Sequence, residues 1–267
     1  MTYLIAAGAI ILIYLLSLRG RRGHPGLESL QGWYYAHRGL HCPGRPENSM
    51  AAFQAALEHG YGIELDVHLL RDGNLAVIHD SSLLRTTGKE GYIENLTTQE
   101  LSGYPLEGTS QTIPEFRRVL ELCGGKVPLI VELKPAGGNH ARLAEAACNM
   151  LASYGGVYCL ESFDPRCVRW LRKHQPRIIR GQLAENFLRS QGKYPWLLKW
   201  ILTSQTVNFL TRPDFIAYRY TDRKRLGNLL VRKFWGIQGV SWTVQTPEDC
   251  AQAVQEGWIP IFEHFEP

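Results

Sequence analysis

The sequence contains no C-x-x-C pair: its six cysteines, Cys42, Cys123, Cys148, Cys159, Cys167 and Cys250, stand singly. That spacing excludes a zinc ribbon or a dithiol redox motif. A chain of 267 residues does not need disulfides to fold. The thiols therefore read as reduced and mostly buried, which favours a cytoplasmic setting, although an even count leaves pairing open. No repeat of fixed period and no low-complexity tract is present. Only 20% of residues are charged and the net charge is +4, far from the basic excess of a nucleic-acid binder. With 45% hydrophobic residues the chain can bury a substantial core and is not compositionally disordered.

Charge is missing altogether from Thr2 to Leu18. These residues, mostly Leu, Ile, Ala and Tyr, reach the short end of a membrane-spanning helix. Arg19, Arg21 and Arg22 follow. A signal peptide carries its basic region before the apolar stretch, so the pattern predicts a transmembrane anchor over residues 1–19, with a buried core helix as the alternative. The positive-inside rule then puts the folded domain in the cytoplasm, as in a single-pass membrane protein. Residues 20–32 read as a polar linker, and residues 33–267 as the folded domain.

Acidic residues are missing from Asn186 to Pro213, where Trp196, Leu197, Leu198, Trp200, Ile201 and Leu202 mix with Arg189, Lys193, Lys199 and Arg212. A basic, Trp-bearing apolar segment suits a membrane interface. A helix covering the core explains it equally well.

What is present is alternation. Strand-like stretches at Trp33–His37, Gly62–His68, Leu75–His79, Pro128–Lys134, Val157–Glu161, Ile178–Gln182, Phe215–Tyr218, Gly239–Val244 and Trp258–Phe262 are separated in many places by helical patterns. Such patterns run over Ser49–His59, Ile113–Cys123, Asn139–Tyr154, Pro165–His174, Asp222–Phe234 and Pro247–Glu256. Alternating strands and helices imply parallel strands joined by crossovers. About eight such units predict a TIM-type (β/α)8 barrel, with a doubly wound sheet as the alternative.

The chemistry gathers at strand ends. In G-I-E-L-D-V-H-L, Ile63, Leu65 and Val67 share one face, and Glu64, Asp66 and His68 the other. Adjacent inward carboxylates repel and lose hydration; a divalent cation such as Mg2+ or Ca2+ relieves both. Asp72-Gly73 is a two-residue hairpin signal, and that register sets His79 opposite Asp66. In P-L-I-V-E-L-K-P, Leu129, Val131 and Leu133 pack while Glu132 and Lys134 end the other face. Ala36-His37-Arg38-Gly39 closes the first strand with a proton carrier and a guanidinium fork suited to phosphate. Asn48 or Ser49 caps the next helix. Glu47 favours that helix's N-terminus or supports the metal from outside its ligand set.

The ordered run A-H-R-G, P-E-N-S, A-F-Q-A-A-L, G-I-E-L-D-V-H-L, D-G-N-L-A-V-I-H-D, I-P-E-F, V-E-L-K-P, S-F-D-P and W-T-V-Q resembles the glycerophosphodiester phosphodiesterases from Tyr34 to about Glu263. The resemblance implies a TIM-type barrel with a small insertion after the second strand, here Asp80 to Gln111. It also implies an acid–base pair of His37 and His79, and one divalent ion, Mg2+ or Ca2+, on Glu64, Asp66 and Glu132. Arg38 and Lys134 become phosphate contacts and Trp242 a wall of the substrate pocket. The implied reaction releases glycerol 3-phosphate and an alcohol from a small glycerophosphodiester. A lysophospholipid at a membrane is an alternative substrate, and a non-catalytic membrane-bound sensor an alternative of another class. The chain departs from the family near its end, where I-F-E-H-F-E-P puts Glu263 in place of a customary aspartate.

Overall fold

The computed structural model describes residues 1–190 and 194–267; Lys193 lies outside the described residues. Among the described residues nine strands form in chain order: β1 (Tyr35–Ala36), β2 (Gly62–Leu69), β3 (Leu75–Val77), β4 (Leu129–Leu133), β5 (Tyr158–Ser162), β6 (Arg180–Ala184), β7 (Phe215–Arg219), β8 (Gln238–Val244) and β9 (Trp258–Phe262). β1 pairs in parallel with both β2 and β9, so the sheet closes on itself. Closure excludes the doubly wound alternative, because an open sheet leaves both edge strands unpaired on one side. Eight parallel strands make the barrel, and β3 hangs outside it, antiparallel to β2.

Alternation along each strand sorts two cores. Outward-facing Ile63, Leu65, Val67, Leu129, Val131 and Leu133 pack against helices α2 (Met50–Glu58), α3 (Phe116–Cys123) and α4 (His140–Leu151). Inward-facing Tyr35, Ile130, Cys159, Phe215, Val240, Ile259 and Ile261 fill the barrel, and Leu30 joins this cluster. Gly181 makes room there: a Cβ would lie 2.2 Å from the Phe215 ring. One layer toward the C-terminal ends the inward positions turn polar at His37, Glu64, Glu132 and Glu161, while Leu183, Ala217 and Trp242 keep that layer apolar on β6, β7 and β8. Ser49 caps α2 by accepting from the Ala52 amide at 3.1 Å. Further along the chain follow α5 (Pro165–His174), α6 (Trp196–Thr203) and α7 (Pro247–Gln255). The helix expected from Asp222 breaks into Leu226–Leu229 and a π turn at Leu230–Phe234. The insertion after β2 has its own small core around Ile78, Leu83, Ile93, Leu101 and Leu106.

The N-terminal helix, α1 (Thr2–Ser17), forms with its apolar side chains exposed, but a spanning anchor does not follow. No helix among the described residues is long and apolar enough to cross a membrane. Sixteen residues rise about 24 Å at about 1.5 Å each, short of the ~30 Å hydrocarbon core. The barrel holds the last turn of this helix. Leu18 is fully buried, its carbonyl accepts from Asn208 Nδ2 at 3.2 Å, and the Leu15 carbonyl accepts from Trp235 Nε1 at 2.8 Å. The expected linker is also packed: Arg21 forks onto the buried carboxylate of Asp214. All six cysteines are free; five are buried and Cys42 is exposed.

Candidate active site

The polar layer sits at the C-terminal ends of the strands, where barrel chemistry is placed. From β2 come Glu64 and Asp66, from β4 Glu132 and from β5 Glu161, all buried. Ligand atoms of Glu64, Asp66 and Glu132 lie within 4.8 Å of one another. Asp66 faces Glu132, and Glu132 faces Glu161, in the ladder register. Lys134 Nζ bridges Asp66 Oδ1 at 3.1 Å and Glu132 Oε1 at 2.9 Å. The Arg38 amide donates to Glu64 Oε2 at 3.0 Å, and Asn48 Nδ2 donates to Asp66 Oδ2 at 2.8 Å.

Burial and repulsion from Asp66 and Glu132 push the Glu64 carboxyl well above its ordinary value. Burial pushes Glu132 up as well, with Lys134 opposing and Asp66 adding. Burial and Glu132 do the same to Glu161. Burial also works against the Asp66 anion, but Lys134, His79, Arg38 and Asn48 hold it well below the usual carboxylate range. Thus the cluster is short of positive charge, and two of its three metal-ligating candidates hold protons too tightly for free carboxylates. All-oxygen donors of this kind fit a hard divalent cation.

Two histidines flank the cluster. His37 follows β1, with Nε2 3.9 Å from Glu64 Oε2 and Nδ1 3.0 Å from Glu263 Oε1. Burial lowers its pKa against the opposing pull of Glu263, which favours the neutral imidazole. His79 Nδ1 lies 2.6 Å from Asp80 Oδ1. Asp80 in turn binds Arg85, which donates to Glu47 Oε1 at 2.7 Å, and Glu47 accepts from Arg38 Nη1 at 2.9 Å. Glu47 therefore ties the Arg38 loop to the insertion rather than serving only the N-terminus of α2. His37, Arg38, Glu64, His79, Glu132, Lys134, Glu161 and Trp242 line one cavity of about 90 Å³. Trp242 meets Phe163 edge-on at 5.4 Å between centroids.

His37, Arg38, Glu64, Asp66, His79, Glu132, Lys134 and Trp242 thus lie together at this end of the barrel, but the hairpin register differs from the two-residue reading. His68 pairs with Ala76 and Val67 with Val77, which puts Ile78, not His79, across from Asp66. The turn has three residues, Arg71 to Gly73: Gly73 takes φ 89°, and the Leu70 amide bonds Asn74 O. His79 still reaches the cavity because it lies beyond the end of β3 and is free of strand alternation. His68, on the expected face, turns instead to Glu94 of the insertion at 2.7 Å. Glu263, Asp80 and Glu161 were not expected as site residues. For Asp80 adjacency to His79 is a usable signal, and for Glu161 its inward strand position. The Glu263–His37 pairing carries no local signal.

Comparison with known proteins agrees with this geometry. A chain from Caldanaerobacter subterraneus subsp. tengcongensis named glycerophosphodiester phosphodiesterase is 34% identical over 235 residues, 83% of this chain and 89% of that one. A phosphodiesterase from Oleispira antarctica, solved with its product sn-glycerol-3-phosphate, superposes with a TM-score of 0.72 at 21% identity, over 88% of this chain and 94% of that one. A Thermotoga maritima glycerophosphodiester phosphodiesterase superposes with a TM-score of 0.66 at 24% identity, over 86% and 93% of the two chains. Residues 37–265 match the sequence model of the Glycerophosphoryl diester phosphodiesterase family, and the chain belongs to that family of phosphoric diester hydrolases.

Proposed function

We propose that residues 33–267 hydrolyse glycerophosphodiesters to glycerol 3-phosphate and an alcohol by acid–base catalysis between His37 and His79, with one divalent cation, Mg2+ or Ca2+, on Glu64, Asp66 and Glu132. The observation that carries this reading is the pair of histidines, each backed by a carboxylate, on either side of three converging carboxylates. The product bound by the Oleispira antarctica enzyme supports the same substrate class. The cation supplies charge neutralisation at the phosphoryl oxygens.

The chain's own residues do the rest. Arg38 and Lys134 hold the remaining phosphate charge. Ionised Glu263 only accepts hydrogen bonds, so the His37 hydrogen sits on Nδ1 and the Nε2 lone pair faces the cavity. His37 takes the proton of the glycerol hydroxyl next to the phosphate, and that oxygen attacks phosphorus. The bond to the leaving alcohol breaks as His79, held at Nδ1 by Asp80, gives that oxygen a proton. Water then opens the cyclic phosphate with the two roles reversed. Trp242 walls the pocket. Glycerol 3-phosphate release from glycerophosphocholine, with EDTA and then with added Mg2+ or Ca2+, tests the reading. Near-normal turnover by His37→Ala overturns it.

A lysophospholipid is the second reading, favoured by one feature. A cavity of about 760 Å³ runs from His79 and Lys134 along Phe163, Tyr194, Leu198 and Leu202. The same helix, α6, leaves Trp196 71% and Leu197 61% exposed, beside the basic Arg189 and Lys199. Its inner residue Leu202 packs with Phe187 and Val207, so the segment both covers the barrel and offers lipid an apolar face. Faster turnover of lysophosphatidylcholine than of glycerophosphocholine supports this; preference for the soluble diester removes it.

A further inference from the structure

We propose that His37, His41 and Glu263 form a second metal site, selective for zinc-type cations, and that an ion bound there switches hydrolysis off. The inhibitory half rests on the reading of His37 as the proton acceptor.

The three side chains each offer a ligand atom, and these atoms lie within 4.8 Å of one another. Glu263 Oε1 is 3.0 Å from His37 Nδ1 and 3.1 Å from His41 Nε2. A tetrahedral ion with bonds of about 2.0 Å spaces its donors about 3.3 Å apart, so the triad is close to a ligand set before any ion arrives. His264 Nε2, at 3.3 Å, and Gln245 Nε2, at 3.5 Å, sit on the other oxygen, Oε2, leaving Oε1 aimed between the two rings. The loop fold places His41. Gly39, at φ 79°, packs so tightly on Ala52 that a Cβ would lie 2.8 Å from its backbone. The Leu40 amide then bonds Ala52 O at 2.9 Å, turning His41 back toward Glu263. The triad is largely buried, but His41 and Glu263 also line a separate cavity of about 470 Å³ between the Gly39–Pro43 loop and residues 262–266. That cavity admits an ion and a solvent ligand without passing through the catalytic pocket.

The donors separate this site from the first. Two imidazoles and one carboxylate suit zinc and its neighbours, whereas Glu64, Asp66 and Glu132 offer oxygen alone and suit Ca2+ or Mg2+. The consequence for catalysis follows from the two nitrogens of one ring. A neutral imidazole has one lone pair and one hydrogen. When the metal takes the Nδ1 lone pair, the hydrogen moves to Nε2. The nitrogen facing the substrate then has nothing with which to accept a proton.

The test is calorimetric titration of the full chain with ZnCl2 in excess CaCl2, alongside glycerophosphocholine hydrolysis. One zinc should bind, and hydrolysis should fall in step without recovery when CaCl2 is raised further. His41→Gln should keep its calcium-dependent turnover, while zinc binding and inhibition both weaken by at least about tenfold. Co2+ in place of zinc should give tetrahedral visible bands that His41→Gln lacks. No zinc binding, binding unchanged in His41→Gln, or inhibition relieved by calcium would each overturn the site. Full calcium-dependent activity in His37→Ala would instead remove the catalytic reading, leaving the zinc-binding result to be judged alone.

Discussion

Glu263 accepts a hydrogen bond from His37 at 3.0 Å, across 226 positions of sequence. The contact joins the residue after β9 to the residue after β1, and it exists because those two strands are neighbours in the closed barrel. An ionised carboxylate here fixes the ring tautomer and stabilises the imidazolium that forms when His37 accepts a proton. Glu263→Gln should lower kcat by about 10²–10⁴, the range from loss of a supporting carboxylate to loss of the correct tautomer. The sign of the pH effect is also set. Glu263 raises the His37 pKa against burial, so the glutamine variant has a lower pKa. Its acid limb in kcat/KM should move to lower pH; an unmoved limb removes Glu263 from the proton step.

His79→Ala should lower turnover by about 10²–10⁴, the usual worth of one general acid or base. His79 is part-exposed and supports no core cluster, so circular dichroism and Tm should stay near the parent values. Asp80→Asn should give a smaller loss, because Arg85 and Glu47 still shape the loop. A pH–rate profile that is identical in Asp80→Asn and the parent argues against the His79–Asp80 dyad.

EDTA should abolish hydrolysis, and Ca2+ or Mg2+ should restore it. Affinity for that cation should rise with pH. Glu64 and Glu132 hold their protons above the ordinary carboxylate pKa in the free protein, so cation and protons compete for the same oxygens. Binding should release protons, measurable as a calorimetric enthalpy that changes with buffer ionisation. Affinity independent of pH through the weakly acidic range would place the ion elsewhere.

Gly181→Val should destabilise the barrel. The added side chain meets the Phe215 ring, already 2.2 Å from where its Cβ would sit, and overpacking of this kind costs about 1–3 kcal/mol. Urea unfolding should show the midpoint fall; an unmoved midpoint would show that the Phe215 ring shifts to accept the side chain.

Much of this was legible in the sequence, for physical reasons. Periodicity two along Gly62–Leu69 and Leu129–Leu133 separates packing residues from inward carboxylates whatever the fold, so the inward placement of Glu64, Asp66 and Glu132 was legible before the barrel was known, whereas their grouping as one ligand set came only from the family resemblance. Capping by Ser49 and the start of α5 at Pro165 depend on neighbours a few residues away. The hairpin register was less secure, because Gly73 at positive φ serves a two-residue and a three-residue loop alike. The apolar run Thr2–Leu18 matches α1 closely in length, but hydropathy counts apolar residues and cannot register that its last turn is held by the barrel, with Leu18 buried and the Leu18 and Leu15 carbonyls bonded by Asn208 and Trp235.

By itself, then, the sequence determined the elements, the faces of the strands and the chemical types at their ends, since each depends on side chains within a few positions. Only the tertiary structure decided that β1 lies between β2 and β9, that Glu263 backs His37, and that Glu47 links Arg38 to Arg85. Those relationships arise from closure of the sheet and the packing of the insertion, which bring together residues far apart in the chain, and no local propensity encodes them.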